Sequence, residues 1–527
     1  MVSSGTRKIA KPKASEMGSA ITAQALAPVQ FDILDKTNLS TRIAVIAVPT
    51  VLTLSLCLYG IGSKPLWLDE VTTYHRAGLP FIDLVVSSLQ NKHLPVYFLL
   101  ERYFNAASVD EALLRFPSAI CVALTALFLA LAALEVSTPK GALLTGLLAA
   151  VAPAEIQFGQ EARPYALASC LIVVALWGLL RITRLADAPG FARRTSVAAW
   201  ATYGVASALA VNVLLVSWAW VAVSNVVLFV LSRQIRPSKF NRLWLATQGS
   251  ILAISMPGLF GIYLFSGHDA FAGYRWIPAS TFQHVSTILS STYLFRFSDL
   301  SDFSLIAVPW PWVGWVVAGA AIWGAIVVAE YPTRMWAIAL AATAMPIFVL
   351  IISIWHPLWV PRYLLWSVGP YLILAGVGLA RLPKAVSAAF IIVITVGAGM
   401  NAMTYYAEQT KPRWDAVATY LGRNVGPKDL IVVNSDAARD VLSVYAAKSN
   451  LDLSKIVTAG KFSHSGNDIG AERIWAVYGR TGYSRLPTEA RYLRVLGLAG
   501  IPCVRMSFGT DIRALRFDLM DSQCVQG

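Results

Sequence analysis

The sequence predicts a polytopic α-helical membrane protein with a small C-terminal α/β domain outside the cytosol. Three observations predict it. Of 527 residues, 56% are hydrophobic and only 14% charged, whereas soluble domains carry about 25% charged residues. Many stretches reach the roughly 20 apolar residues that carry a helix across the hydrocarbon layer. The charges are segregated at both ends and in short runs between the apolar stretches.

The apolar runs predict eleven spans, near 43–62, 115–134, 141–158, 164–182, 196–212, 213–232, 243–266, 311–329, 335–355, 364–381 and 385–404. Uncharged runs such as IAVIAVPTVLTLSLCLYGIG must satisfy their backbone internally, which makes them helices. Residues 1–41 read as a polar, basic and partly disordered cytosolic tail. It runs into a full-length span with no small-residue cleavage site, so the first span is expected to be an uncleaved anchor.

Orientation follows from Lys and Arg. With Arg7, Lys8, Lys11, Lys13, Lys36 and Arg42 in the cytosol, the later basic runs also fall inside. These are Arg181, Arg184, Arg193 and Arg194, then Arg233, Arg236, Lys239 and Arg242, then Arg381 and Lys384. Loops 63–114 and 267–310 and the tail 405–527 then face outward, leaving 42–404 as the membrane module. Topology and anionic-lipid contact account for much of the +14 net charge, so it is no reason to invoke nucleic acid.

Within the first outer loop, HLPVYFLLERYFNAAS is too short to cross and carries Glu101 and Arg102 in its middle. Val96, Leu99, Leu100, Tyr103 and Phe104 lie on one helical face, predicting a helix on the membrane surface. The tail alternates short apolar runs with turns. RWDAVATYLGRN predicts a helix, LIVVN a buried strand, and RIWAVYG, VRMSFG and LRFDL further strands. Of five cysteines, Cys57, Cys121 and Cys170 fall in spans as small apolar side chains. Cys503 and Cys524 share the outward domain and can pair if that compartment is oxidising. No Cys/His spacing points to zinc.

Polar residues at the outer ends of spans are the candidates for chemistry. SKPLWLDEVTTYHRAG places Asp69 and Glu70 beside headgroup-seeking Leu66 and Trp67. A carboxylate there suits a general base for a hydroxyl, or a solvated acid pair at a helix N-terminus. GQEARPYAL packs Glu161, Arg163 and Tyr165 into one turn, either lining a cavity or forming a local salt link. WHPLWVPRYLLW sets Arg362, with Tyr363 beside it, at the mouth of a span. There an arginine can fork onto a phosphate or snorkel in an aromatic belt. His93 opens the surface helix, where a capping role is the plain alternative. His268, Asp269, Tyr274, Arg275 and Arg296 in the second outer loop show no spacing that selects one. Together these groups describe an outer-surface site handling an anionic lipid.

The order LWLDE, HLPVYFLLERYF, EALLRFPSAI, GQEARPYAL, VPRYLLW, KPRWDAVATYL resembles the GT-C membrane glycosyltransferases. It is closest to the bacterial branch related to protein O-mannosyltransferases and lipid A aminoarabinose transferase. The likeness covers about residues 60–190 and 355–435. Two motifs depart from the usual pattern: Asp69-Glu70-Val71-Thr72-Thr73 for DE-[AS]-x-[ST], and His93-Leu94-Pro95 for H-P-P. The resemblance implies a hexosyl or pentosyl transferase of the inner membrane, with its C-terminal domain periplasmic. Asp69 would be the catalytic base or acceptor anchor, with Glu70 its neighbour in the motif. His93, Glu161, Arg163, Tyr165, Arg362 and Tyr363 would bind substrate, Arg362 at the carrier phosphate. It further implies a polyprenyl-phosphate sugar donor and transfer, with inversion, to an envelope acceptor: lipid A or lipopolysaccharide core, another glycolipid, a polysaccharide or a protein. No cofactor is called for; metal dependence varies across the superfamily, and no dedicated metal cluster stands out. A flippase for lipid-linked saccharide or an inactive scaffold subunit would share the spans and charges. No inverted repeat or paired broken helix favours the flippase.

Overall fold

A computed structural model describes residues 38–106, 108–186, 193–235, 238–267, 277–299, 303–327, 332–462, 471–482, 488–498 and 501–519. Among them, eight helices are long and apolar enough to cross a membrane: Leu39–Leu58, Glu111–Leu134, Tyr165–Leu185, Leu215–Arg233, Phe240–Phe265, Arg334–Ile352, Pro361–Arg381 and Lys384–Ala407. The helices Pro139–Val151 and Pro153–Gly159 meet the same test only as a pair, bent by 57° where they join. The shorter apolar helices Val197–Val213 and Val313–Val327 occupy the two remaining expected positions. Expected residue Cys524, the loop residues His268, Asp269, Tyr274 and Arg275, and tail residues 1–37 lie outside the described residues.

The bend corrects the expectation of one continuous span over 141–158. Pro153 has no N–H to give the preceding turn and its ring excludes straight helix there. It becomes the first residue of a new short helix instead. The break matters because Gln160–Pro164, the loop that follows, carries Glu161 and Arg163.

Helix Pro361–Arg381 runs through the middle of the bundle, with most of its length buried. Small residues let its neighbours approach. A Cβ on Gly378 would fall 2.8 Å from the backbone N of Gly324, and one on Gly324 would overlap the Leu374 carbonyl. Helix Val313–Val327 therefore packs backbone to backbone against it. Ser238–Phe265 instead exposes Leu245, Leu252, Phe260 and Tyr263, as a lipid-facing helix should.

The first outer loop forms three helices, Leu68–Gly78, Phe81–Gln90 and Val96–Glu101, the last continuing as a single 3-10 turn, Arg102–Phe104. The expected surface helix is thus shorter than its motif. Its buried face is Tyr97, Phe98 and Glu101, while Tyr103 is 85% exposed. The chain therefore packs the motif through a different stripe from the apolar one read in sequence.

The C-terminal part folds as a five-stranded sheet of β1 (Asp429–Val433), β2 (Ile456–Thr458), β3 (Arg473–Gly479), β4 (Val504–Phe508) and β5 (Ile512–Asp518). Their order across the sheet is β2-β1-β3-β5-β4. β2, β1 and β3 are parallel, and β5 and β4 continue antiparallel. The continuous apolar run of β1 fits a strand buried on both faces. The core under the sheet does not stop at the domain edge. Trp414, Val417, Leu442, Tyr445 and Trp475 pack in one cluster with Leu66, Val71, Val109 and Leu114 of the membrane module. Cys57, Cys121 and Cys170 are buried free thiols, and Cys503 is disulfide-bonded.

Candidate active site

Segment Lys64–Trp67 is extended and leads into helix Leu68–Gly78, and the tail holds it at alternate positions. Lys64 Nζ donates to the Tyr405 carbonyl (2.9 Å) and Thr410 Oγ1 (3.0 Å). The Leu66 N–H donates to the Tyr445 hydroxyl at 2.6 Å. The Leu68 N–H donates to the Thr481 carbonyl at 3.1 Å. Glu70 receives Lys411 Nζ at 2.8 Å.

Glu70 is fully buried and saturated. Arg115 binds it with two parallel bonds of 2.7 and 2.8 Å, and the Ala162 N–H adds a third at 3.0 Å. Burial would raise its carboxyl, but Arg115 and Lys411 outweigh that and hold it well below the usual range. Arg115 in turn donates to the carbonyls of Ile61, Lys64 and Pro65. Glu70 is thus spent on fixing the loop.

Asp69 points the other way. Successive helical residues lie about 100° apart, so one residue turns into the clamp and its neighbour toward Arg362, which lines a cavity. The Asp69 side chain is 23% exposed and takes Arg362 Nη1 at 2.8 Å. The same Nη1 donates to the Tyr165 hydroxyl at 2.9 Å. Arg163 Nε stands 3.9 Å from the carboxylate, while its Nη1 donates to the Asp69 carbonyl and Thr73 Oγ1. Burial pulls the Asp69 carboxyl up, yet Arg163 and then Arg362 leave it below its ordinary value.

The cavity beside this pair is lined by Trp67, Phe158, Glu161, Tyr165, Phe303, Pro361 and Arg362. Glu161 is fixed in its wall by Trp67 Nε1 at 2.7 Å and by Lys411 Nζ at 2.9 Å. Burial raises its carboxyl against the pull of Lys411. Three helices start at this spot, each with a sequence reason. Pro361 begins one as the first helical residue, where its missing N–H costs nothing. Pro164 precedes Tyr165, the first residue of another. Asp69 and Glu70 occupy the first turn of the third, where the dipole favours acids.

His93 is electrostatically coupled to Asp69, Arg163, Arg76 and Arg362; burial and the arginines push its imidazole down to about 3, so it is neutral. Tyr363 is part-buried against the membrane core and is not among the residues lining the cavity. The structure therefore brings Asp69, Arg163, Tyr165, Glu161 and Arg362 to one place, with His93 adjacent. Sequence reasoning missed Arg115, Lys411, Lys64 and Arg76. All four stand inside the motifs given above, but nothing in their spacing singles them out. Among the described residues no three His, Cys, Asp or Glu side chains gather to hold a metal.

No protein-family model matches the chain, and no curated protein matches it in sequence. Solved structures match it in fold. ArnT from Cupriavidus metallidurans in the apo state aligns with a TM-score of 0.56 at 13% identity, covering 89% of this chain and 97% of that one. The same protein bound to undecaprenyl phosphate gives 0.55 at 14% identity, over 90% and 98%. The archaeal oligosaccharyltransferase AglB from Archaeoglobus fulgidus, in complex with an inhibitory peptide and a dolichol-phosphate, gives 0.52 at 10% identity, over 82% and 69%. The chain shares its overall fold with these solved structures. It is a multi-span helical membrane protein with a small sheet domain at its C-terminus.

Proposed function

We propose that the chain is an integral membrane glycosyltransferase working at the outer face of the cytoplasmic membrane. It takes a sugar from a polyprenyl-phosphate donor and passes it to a hydroxyl on an envelope glycan, lipid or protein. The N-terminus is then cytosolic and the C-terminal domain periplasmic, as the basic inner loops require. One observation carries the reading: a partly exposed carboxylate, Asp69, is bracketed by two buried arginines, Arg163 and Arg362, and Arg362 lines the adjoining cavity. Fold relatives that hold undecaprenyl phosphate and dolichol-phosphate support the carrier class.

The geometry gives each group a task. Asp69 accepts the proton of the acceptor hydroxyl. The hydroxyl oxygen attacks the anomeric carbon from the face opposite the phosphate. The bond from that carbon to the phosphate oxygen breaks, and its electron pair stays on the phosphate. A single displacement inverts the sugar and needs no second carboxylate nucleophile. Arg362 and Arg163 stabilise the charge that develops on the leaving phosphate. In the resting site these arginines make Asp69 a weak base. A phosphate competing for the same guanidinium groups relieves that pull and raises the carboxylate toward useful basicity. Aromatic Trp67, Phe158, Tyr165 and Phe303 offer apolar faces to the sugar ring. Glu70, Arg115 and Lys411 hold the loop and take no part in bond making.

The test is a labelled polyprenyl-phosphate sugar in proteoliposomes with a crude envelope acceptor. A transferase consumes the donor and labels the acceptor. Label that crosses the bilayer as intact donor, with no product, overturns the proposal in favour of a flippase.

A further inference from the structure

Arg76 sits seven residues after Asp69 on helix Leu68–Gly78, and Thr73 four residues after it, so all three share one helical face. Asp69 and Thr73 both meet Arg163 on that face. Arg76 meets no acid. It is 4% exposed, and its Nε and Nη1 make no hydrogen bond. Its guanidinium carbon stands 4.5 Å from the centre of the Phe98 ring. Burial, and then Arg163, pushes it down to about 10, so it remains charged at neutral pH.

A buried arginine without an anion is costly, and the local balance makes it more so. Glu70 and Glu161 are matched by Arg115 and Lys411. Around the neutral His93 stand Arg163, Arg76 and Arg362 with Asp69, three positive charges and one negative.

We propose that Arg76 is a further phosphate-binding position, which takes up the second negative charge that the carrier phosphate acquires during transfer. This rests on the glycosyltransferase reading above. The donor phosphate is a diester with one charge. When the bond to the anomeric carbon breaks, its electron pair stays on oxygen and the phosphate becomes a monoester with close to two charges. A site with two positive charges in excess favours the second state, and so lowers the barrier on the way to it. It also retains the spent carrier more firmly than the donor.

The purified protein in detergent is titrated at pH 8 with a short-chain polyprenyl monophosphate and with the methyl ester of that phosphate, which carries one charge less. Wild type is expected to prefer the monoester roughly tenfold. Arg76→Gln should bring the preference to within about twofold while the methyl ester binds as before, and Arg76→Lys should restore part of it. Both variants are compared by melting temperature, and Arg76→Lys alone decides the question if the glutamine variant does not fold, since a shorter cation must shrink the ratio. A preference that survives in the folded variant, or equal weakening of both ligands, overturns the assignment. Wild-type protein that binds neither lipid overturns the carrier reading itself, and Arg76 with it.

Discussion

On the cavity side of the first outer loop, Asp69 keeps 23% of its side chain exposed and shares one Arg362 nitrogen with Tyr165. On the clamp side, one residue later, Glu70 is fully buried with every bond direction used, by Arg115, Lys411 and the Ala162 N–H. Both sides are rich in charge, and the difference lies in what a ligand can still do there. The clamp is closed, so a substrate finds no free donor or acceptor in it. The cavity side keeps an exposed acid, an excess of arginine and space. Charge density alone does not mark the reactive half; unsatisfied charge beside open volume does. The C-terminal domain contributes mainly to the clamp, through Lys411, Tyr445 and Thr481. Its role follows as that of a splint for the segment that presents Asp69.

The sharpest way to break this contrast is to unbalance the clamp. Glu70→Gln leaves Arg115 and Lys411 buried with one acid fewer, and removing one partner of a buried pair costs roughly 3–5 kcal/mol. The expected outcome is a large fall in yield and melting temperature in detergent. A variant as stable as wild type would show that Glu70 is no staple.

Arg362→Ala should instead preserve the fold and raise the KM for carrier lipid by roughly tenfold or more, with a smaller effect on acceptor KM. An unchanged carrier KM would return Arg362 to a purely structural partner of Asp69. Lys411→Met is expected to lower kcat by roughly tenfold with carrier KM within about twofold, because it loosens Glu161 and the loop without touching the phosphate. Lys411→Arg should recover part of the loss. Normal kcat in the methionine variant would remove the splint role.

The smallest effect concerns Glu101, completely buried behind the loop. Burial raises its carboxyl from an ordinary value of 4.5 to about 8. Between those values the folded state keeps a proton that the unfolded chain gives up. Its stabilising share is therefore whole below about pH 4.5 and lost as pH rises through 8. Glu101→Gln should melt like wild type at pH 4.5 and several degrees higher at pH 9. A constant difference across that range would place the shift elsewhere.

Much of the architecture is legible in the sequence because the bilayer imposes length and apolarity on each crossing, and those are local properties. The GQEARPYAL and VPRYLL motifs are legible for the same reason, since charge at a span end stands out against its surroundings. The bend at Pro153 is also local and announced by the proline. The partners of Glu70 are not, because Arg115 and Lys411 reach it from 45 and 341 positions away, and no periodicity links them. The separation of Asp69 from Glu70 was available in principle, since adjacent residues of a helix never share a face. The buried stripe of Val96–Glu101 was not, because a tertiary cavity accepting Tyr97 and Phe98 overrode the amphipathic pattern.

The most direct measurement is turnover by Asp69→Asn in proteoliposomes with labelled donor, beside carrier-lipid affinity and melting temperature of the same preparation. The amide keeps the shape and a bond to Arg362 but cannot accept the acceptor proton. Melting temperature near that of wild type, carrier binding within a few fold, and turnover lower by roughly 100-fold or more are predicted. Turnover close to that of wild type would contradict the assignment of Asp69 as the base.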